Sequence, residues 1–183
     1  MATAEALLTA EEYALLPDNG QPTELVRGRI VPLNMPYPRH GQICSKVDRI
    51  VGNFADEHEL GHVISNDAGV ITERDPDTVR GPDIAFYSYA RVPRGPLPRG
   101  YLSVHPDLVF EVRSPGDSWR EVLTKVVEYF NAGVPVICVL DEKTETARVY
   151  HPDEPEKVFR TDEDLLLPEV LRDFRVRVQR FFE

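Results

Sequence analysis

Two short apolar stretches of this chain each carry a carboxylate: Gly81-Pro82-Asp83-Ile84-Ala85-Phe86 and Pro106-Asp107-Leu108-Val109-Phe110-Glu111-Val112-Arg113. Asp83 and Glu111 lie 28 residues apart, far enough for neighbouring strands joined by the proline- and arginine-rich loop between them. Two carboxylates converging from adjacent strand ends, with a cation close by, can hold a hard divalent metal against a phosphodiester. Alternation along the second strand puts Asp107, Val109, Glu111 and Arg113 on one face and Leu108, Phe110 and Val112 on the other. Glu111 and Arg113 therefore point the same way, a spacing in which one side chain holds the metal and the other stabilises charge on the phosphate. The same spacing also suits a surface strand with a local Glu–Arg pair.

These residues need elements to position them. Thr9 to Glu12 is a capping box that opens a short helix to Leu15 or Leu16, stopped by Pro17-Asp18-Asn19-Gly20. Thr23 to Leu33 alternates around Arg27-Gly28 as an N-terminal β-hairpin, with Glu24 on its first strand. From His40-Gly41 a long helix runs to about Leu60, its stripe being Ile43, Val47, Ile50, Val51 and Phe54, with Gly61 as its stop. Strands are predicted at 62–66, 69–73 and 82–88, the last two joined by the turn Asp75-Pro76-Asp77. Residues 91–100 form a proline-rich loop. After the strand at 108–113, Pro115-Gly116-Asp117 turns into a helix over 118–131. Gly133 closes that helix, and the apolar run Val134 to Leu140 follows as a strand buried on both faces. Strands at 147–150 and 157–159 suggest a terminal meander, and the remainder is an edge strand or a short helix. Strands interleaved with two principal helices give an α/β or α+β layered protein.

The 183 residues are expected to form one domain over 1–183, with 42% hydrophobic and 28% charged residues, the balance of a soluble protein. No apolar run approaches a membrane span, and Met1 to Ala6 lacks the layout of a signal peptide. Cys44 and Cys138 lie in apolar segments, as buried thiols of a reducing cytoplasm would. A net charge of −10 sits awkwardly with a polyanion ligand. However, Arg74, Arg80, Arg91, Arg94, Arg99, Arg113 and Arg120 all fall between positions 74 and 120, around the two carboxylates. They form either a basic footprint or a solvated loop.

Pro82-Asp83 followed by Glu111-Val112-Arg113 resembles the PD-(D/E)XK signature of restriction-endonuclease-like nucleases. The motif order resembles, more narrowly, the Uma-type family of that superfamily. Its matching pieces are Glu24-Leu25-Val26-Arg27-Gly28-Arg29, His40-Gly41, Arg80 to Ala85, Pro106 to Pro115, Lys125 with Tyr129, and Ala132 to Pro135. The resemblance implies a restriction-endonuclease-like three-layer α/β/α core with a mixed central sheet flanked by helices. It also implies a Mg²⁺-dependent phosphodiesterase site (Mn²⁺ serving as well), DNA as substrate, and a homodimer. Asp83 and Glu111 would be the metal carboxylates, with the backbone carbonyl of Val112 as a further ligand, and Glu24 and His40 would flank them.

One departure matters. The superfamily's lysine falls at Arg113, whose pKa above ~12 makes it a poor proton acceptor although it can clamp a phosphate. In the Uma-type pattern that lysine moves to the next helix, here Lys125. On the wheel Trp119, Leu123, Val126, Val127 and Phe130 form the buried stripe, widened by Val122 and Tyr129. Lys125 lies just past that edge, where a solvated lysine fits too. The resemblance favours the catalytic one.

His58-Glu59-Leu60-Gly61-His62 is a literal H-E-x-x-H, so a zinc metalloprotease is the rival. That motif needs an unbroken helix. Gly61 falls inside it, His62 opens a strand-like run, and Ser65 and Ala68 stand where the extended motif needs glycine and histidine. A surface helix end is the expectation. A third class, a nuclease-like module that binds without cutting, would suit the arginine at 113 and the acidic surface.

Overall fold

The computed structural model describes residues 6–17 and 19–183; Met1 to Glu5 and Asp18 of the first turn lie outside the described residues. Helix α1 (Ala10–Ala14) starts on the expected capping box, Thr9 accepting from the Glu12 N–H and Glu12 from the Thr9 N–H. The hairpin β1 (Thr23–Val26) and β2 (Arg29–Pro32) turns at Arg27 and Gly28, both at positive φ. Helix α2 (Pro38–Glu57) opens on a proline, whose fixed φ suits a first turn, and buries Ile43, Val47, Val51 and Ala55.

The end of α2 differs from expectation. The helix stops at Glu57, His58 caps it, and the chain reverses through Glu59 at φ 53°. Gly61 is instead the first residue of β3 (Gly61–Ser65), paired with Ser88. A Cβ there would stand 2.1 Å from the Tyr87 carbonyl oxygen and 2.8 Å from the Ser88 Cα. Gly61→Ala should therefore cost about 1–3 kcal/mol, the usual penalty of overpacking. Urea unfolding checks this, and an unmoved midpoint would show that the sheet edge yields.

Strand β4 (Val70–Glu73) turns back into β5 (Thr78–Arg80), which sequence reading did not separate. The turn at Asp75-Pro76-Asp77 joins these two, not β4 and β6 (Ile84–Ser88). Next come β7 (Leu108–Arg113), α3 (Trp119–Ala132), the wholly buried β8 (Val136–Asp141), β9 (Thr146–Tyr150) and β10 (Lys157–Phe159). The segment too mixed to assign is a hairpin, β11 (Asp164–Leu167) and β12 (Leu171–Arg177), followed by α4 (Gln179–Phe182).

The central sheet has the order β10-β9-β8-β7-β6-β3, and β1, β2, β4 and β5 form a smaller sheet, β2-β1-β5-β4. Only β7 and β8 pair parallel, because α3 is the crossover that connects them; the other pairs are antiparallel. One face of the sheet (Ile84, Phe86, Leu108, Phe110, Cys138, Leu140) packs on α2, the C-terminal hairpin and α4. The other (Val109, Ile137, Val139) packs on Val122, Val126 and Tyr129 of α3, with Val70 of β4. This is the expected mixed sheet between helical layers. No helix among the described residues is long and apolar enough to cross a membrane.

Candidate active site

The site forms where β6 and β7 begin to part. Their ladder pairs Ile84 with Phe110, so Asp83, one step before β6, stands opposite Glu111. The Asp83 carboxylate is held at both oxygens. Oδ2 accepts the Val112 N–H at 2.6 Å, and Oδ1 lies 2.9 Å from His40 Nε2 and 3.4 Å from Cys44 Sγ. His40 and Cys44 are one turn apart on α2 and so share a face. The second ring nitrogen of His40 lies 3.1 Å from the Ser114 hydroxyl, which fixes the ring, and the bond to Asp83 raises the imidazole's pKa against burial.

Glu111 faces the other helix. Its Oε1 accepts the Tyr129 hydroxyl at 2.7 Å, and its Oε2 is 3.6 Å from Lys125 Nζ. Lys125 reaches on to Glu24 Oε1 at 3.0 Å, and Glu24 Oε1 also accepts the Gly81 N–H. Arg80 closes the network, giving Nη1 to Glu24 at 2.7 Å and its Nε–Nη2 fork to Glu128 at 2.5 and 2.9 Å. The pKa directions follow from this wiring. Burial works to raise the Glu24 carboxyl, but Lys125 and Arg80 overcome it and hold it below its ordinary value. Against burial, Glu111 and Glu24 hold Lys125 above its own. Burial pushes the Glu111 carboxyl up to about 7, with Lys125 opposing and the Asp83 charge adding.

Lys125 gets here because the buried stripe of α3 is rotated from the one the wheel selects. Val122, Val126 and Tyr129 are buried, whereas Leu123 and Val127 are 41% and 55% exposed. With the apolar face centred on Val122 and Tyr129, Lys125 lies three residues after the one and four before the other, on their side of the helix. The capping box of Ser118 and Glu121 sets the start of that helix.

Arg113 is placed differently. Its Nη1 meets Asp141 at 3.0 Å and its guanidinium stacks 4.8 Å over the Trp119 ring, so its charge is taken up by Asp141. Other arginines of the 74–120 region are likewise paired: Arg74 with Glu11 and Asp77, Arg91 with Asp107, Arg94 with Glu59. Those pairs do not make the open basic footprint that composition alone allowed. His58 and His62 sit on different elements. His58 Nδ1 lies 2.9 Å from the Phe54 carbonyl oxygen and His62 Nε2 lies 3.1 Å from that of Pro93, so no one helix presents them as zinc ligands.

Some site residues escaped sequence reading. Asp67, at φ 54° in the turn after β3, packs against Gly81, and burial and the Asp83 charge push its carboxyl up. Only a turn-forming Asn66-Asp67 marks it in the sequence. Glu128, which no sequence signal singles out, is the anchor of Arg80. Cys44 was assigned to the core, yet its thiol meets Asp83.

Carboxylates outnumber cations in this cluster, and two of them, Asp67 and Glu111, are pushed toward protonation by burial with the Asp83 charge adding. Oxygen donors short of a counter-charge fit a hard divalent cation.

A mixed central sheet between helices, with an aspartate and a glutamate brought together where two of its strands part, defines a restriction-endonuclease-like α+β protein. The chain belongs to the Uma2 family, described as "Putative restriction endonuclease", whose model matches residues 10–179. Among solved structures it is similar to a "putative nuclease belonging to DUF820 from Anabaena variabilis ATCC 29413". The two are 21% identical with a TM-score of 0.81, over 96% of this chain and 97% of that one. At that identity the likeness speaks for the fold alone. No curated protein matches the chain.

Proposed function

We propose that this protein is a divalent-metal-dependent endonuclease that hydrolyses phosphodiester bonds of DNA. The observation that carries the reading is the single electrostatic cluster joining Asp83, Glu111 and Lys125 across two strands and a helix. Asp83 and Glu111 would hold Mg²⁺ or Mn²⁺, which when bound activates a water and polarises the phosphoryl oxygen.

The chain's own groups do the rest. Lys125 stays protonated at neutral pH, so it serves as a donor that neutralises charge on the phosphate rather than as a base. Glu24 fixes the ammonium, Tyr129 fixes Glu111, and His40 with the Val112 N–H fixes Asp83. Arg113, bound to Asp141, braces the end of β7 next to the site. A separate cleft of about 530 Å³, turned away from His40 round α2, is lined by Lys46 and Arg49 with Arg180 of α4, and also by Glu57 and Glu183. A cytoplasmic homodimer built from a single 1–183 domain belongs to the same proposal.

The direct test is nicking of supercoiled plasmid in Mg²⁺, with chelator as control. Wild type should nick and Glu111→Gln should lose more than about 100-fold of the rate, beyond the scale on which even groups behind a metal ligand act. Mg²⁺ binding with no nicking under any condition would make the protein an inert module instead.

Acidity supplies a second check. A carboxyl raised in the folded state keeps a proton that the unfolded chain has lost, so the metal-free protein should lose stability as pH rises from about 4.5 to about 7. A cation at Glu111 must displace that proton. Its apparent affinity should therefore fall about tenfold per unit below pH 7. Calorimetric titrations at several pH values measure this, and a flat profile would take Glu111 out of the ligand set.

A further inference from the structure

The α2 side of Asp83 has a donor set that a hard cation does not use. His40 Nε2, Cys44 Sγ and an Asp83 carboxylate oxygen all lie within 4.8 Å of one another, with separations of 2.9 Å from histidine to aspartate and 3.4 Å from cysteine to aspartate. In a tetrahedral zinc site with bonds of about 2.0–2.3 Å, neighbouring donors stand about 3.3–3.7 Å apart. We propose that His40, Cys44 and Asp83 form a second, thiolate-bearing metal site that takes a borderline divalent cation such as Zn²⁺ or Co²⁺. Its occupation withdraws Asp83 from the hard-cation site.

The arrangement is built rather than incidental. His40 and Cys44 project from successive turns of one rigid helix, and the Val112 N–H anchors Asp83 opposite them. The Ser114 hydroxyl against Nδ1 leaves Nε2 aimed into the cluster, the outer partner that metal-binding histidines regularly have. Sulfur selects among cations. Mg²⁺ prefers oxygen and keeps its waters, whereas Zn²⁺ and Co²⁺ accept nitrogen and sulfur. On binding, the Cys44 thiol gives its proton to solvent, His40 presents the Nε2 lone pair, and Asp83 gives one oxygen. The fourth position is left to water. Without a metal, burial and the Asp83 charge keep the thiol protonated; a doubly charged ion reverses that preference. The effect on cleavage rests on the proposed nuclease reading, but the binding does not.

Titration of the full-length protein with Co²⁺ tests this by absorption. A thiolate-to-cobalt charge-transfer band should appear with tetrahedral visible bands, and Zn²⁺ should bleach both. Cys44→Ser should lose the charge-transfer band and more than about 100-fold in Zn²⁺ affinity, with its far-ultraviolet circular dichroism confirming the fold. His58→Ala should keep the band. The site is overturned if wild type shows no band, if the band survives Cys44→Ser, or if it follows His58. In plasmid nicking with Mg²⁺, added Zn²⁺ should inhibit wild type. Cys44→Ser should resist it, each protein being compared with its own zinc-free rate; equal inhibition of both would overturn the competition at Asp83. Absence of nicking in zinc-free wild type would count against the nuclease reading alone, since the cobalt spectrum reports the site without it.

Discussion

Asp83→Asn is expected to abolish Mg²⁺-dependent cleavage while leaving the fold in place. The native carboxylate accepts at both oxygens, from Val112 N–H and from His40 Nε2. An asparagine can keep its carbonyl oxygen on Val112 and turn its amide toward His40, whose ring nitrogen can accept in the other tautomer. Hydrogen bonding therefore survives and the charge does not. With that charge gone a hard cation loses a ligand, and cleavage should fall by more than about 100-fold. The melting temperature should hold or rise, because Asp83 repels both Glu111 and Asp67. The Glu111 carboxyl should titrate below its native value of about 7, a shift that carboxyl-resolved NMR would see. Full activity in this variant would remove Asp83 from the site.

Arg80→Met should give the largest loss of stability. Arg80 is 11% exposed and holds Glu24, at 3%, together with Glu128, at 18%. Methionine fills the space of the stem but strips Glu128 of its arginine and leaves Glu24 with Lys125 alone. Breaking a buried pair from one side costs about 3–5 kcal/mol. In a chain of this size each kcal/mol moves the melting temperature by about 2–4 °C. A drop of about 10 °C is expected, partly recovered toward pH 4.5 as the orphaned carboxyls protonate. A loss under about 1 kcal/mol would show that solvent screens these pairs.

The sequence made the scaffold legible where local rules are strong. The capping box at Thr9, the Arg27-Gly28 hairpin and the apolar run of β8 all depend on neighbours in the chain; the first two stand where their signals place them, and β8 starts two residues later than its apolar run. Legibility failed where tertiary packing decides. Leu123 and Val127 look as buryable as Val122, and only the packing of α3 on the central sheet and on Val70 of β4 selects the face beside which Lys125 turns inward. Gly61 resembles a helix stop, but its role is steric, against Tyr87 and Ser88. β5 was hidden by its brevity. The site was legible as motif positions and not as wiring. Nothing in one dimension says that Glu128 anchors Arg80, or that Asp67, 16 residues before Asp83, returns to its side.

The central claim is that Asp83 and Glu111 jointly bind one hard cation. Anomalous diffraction from crystals soaked in Mn²⁺ tests it directly. One manganese peak bonded to oxygens of both carboxylates is the result predicted; manganese bound to neither, or to one with the other turned away, would contradict it.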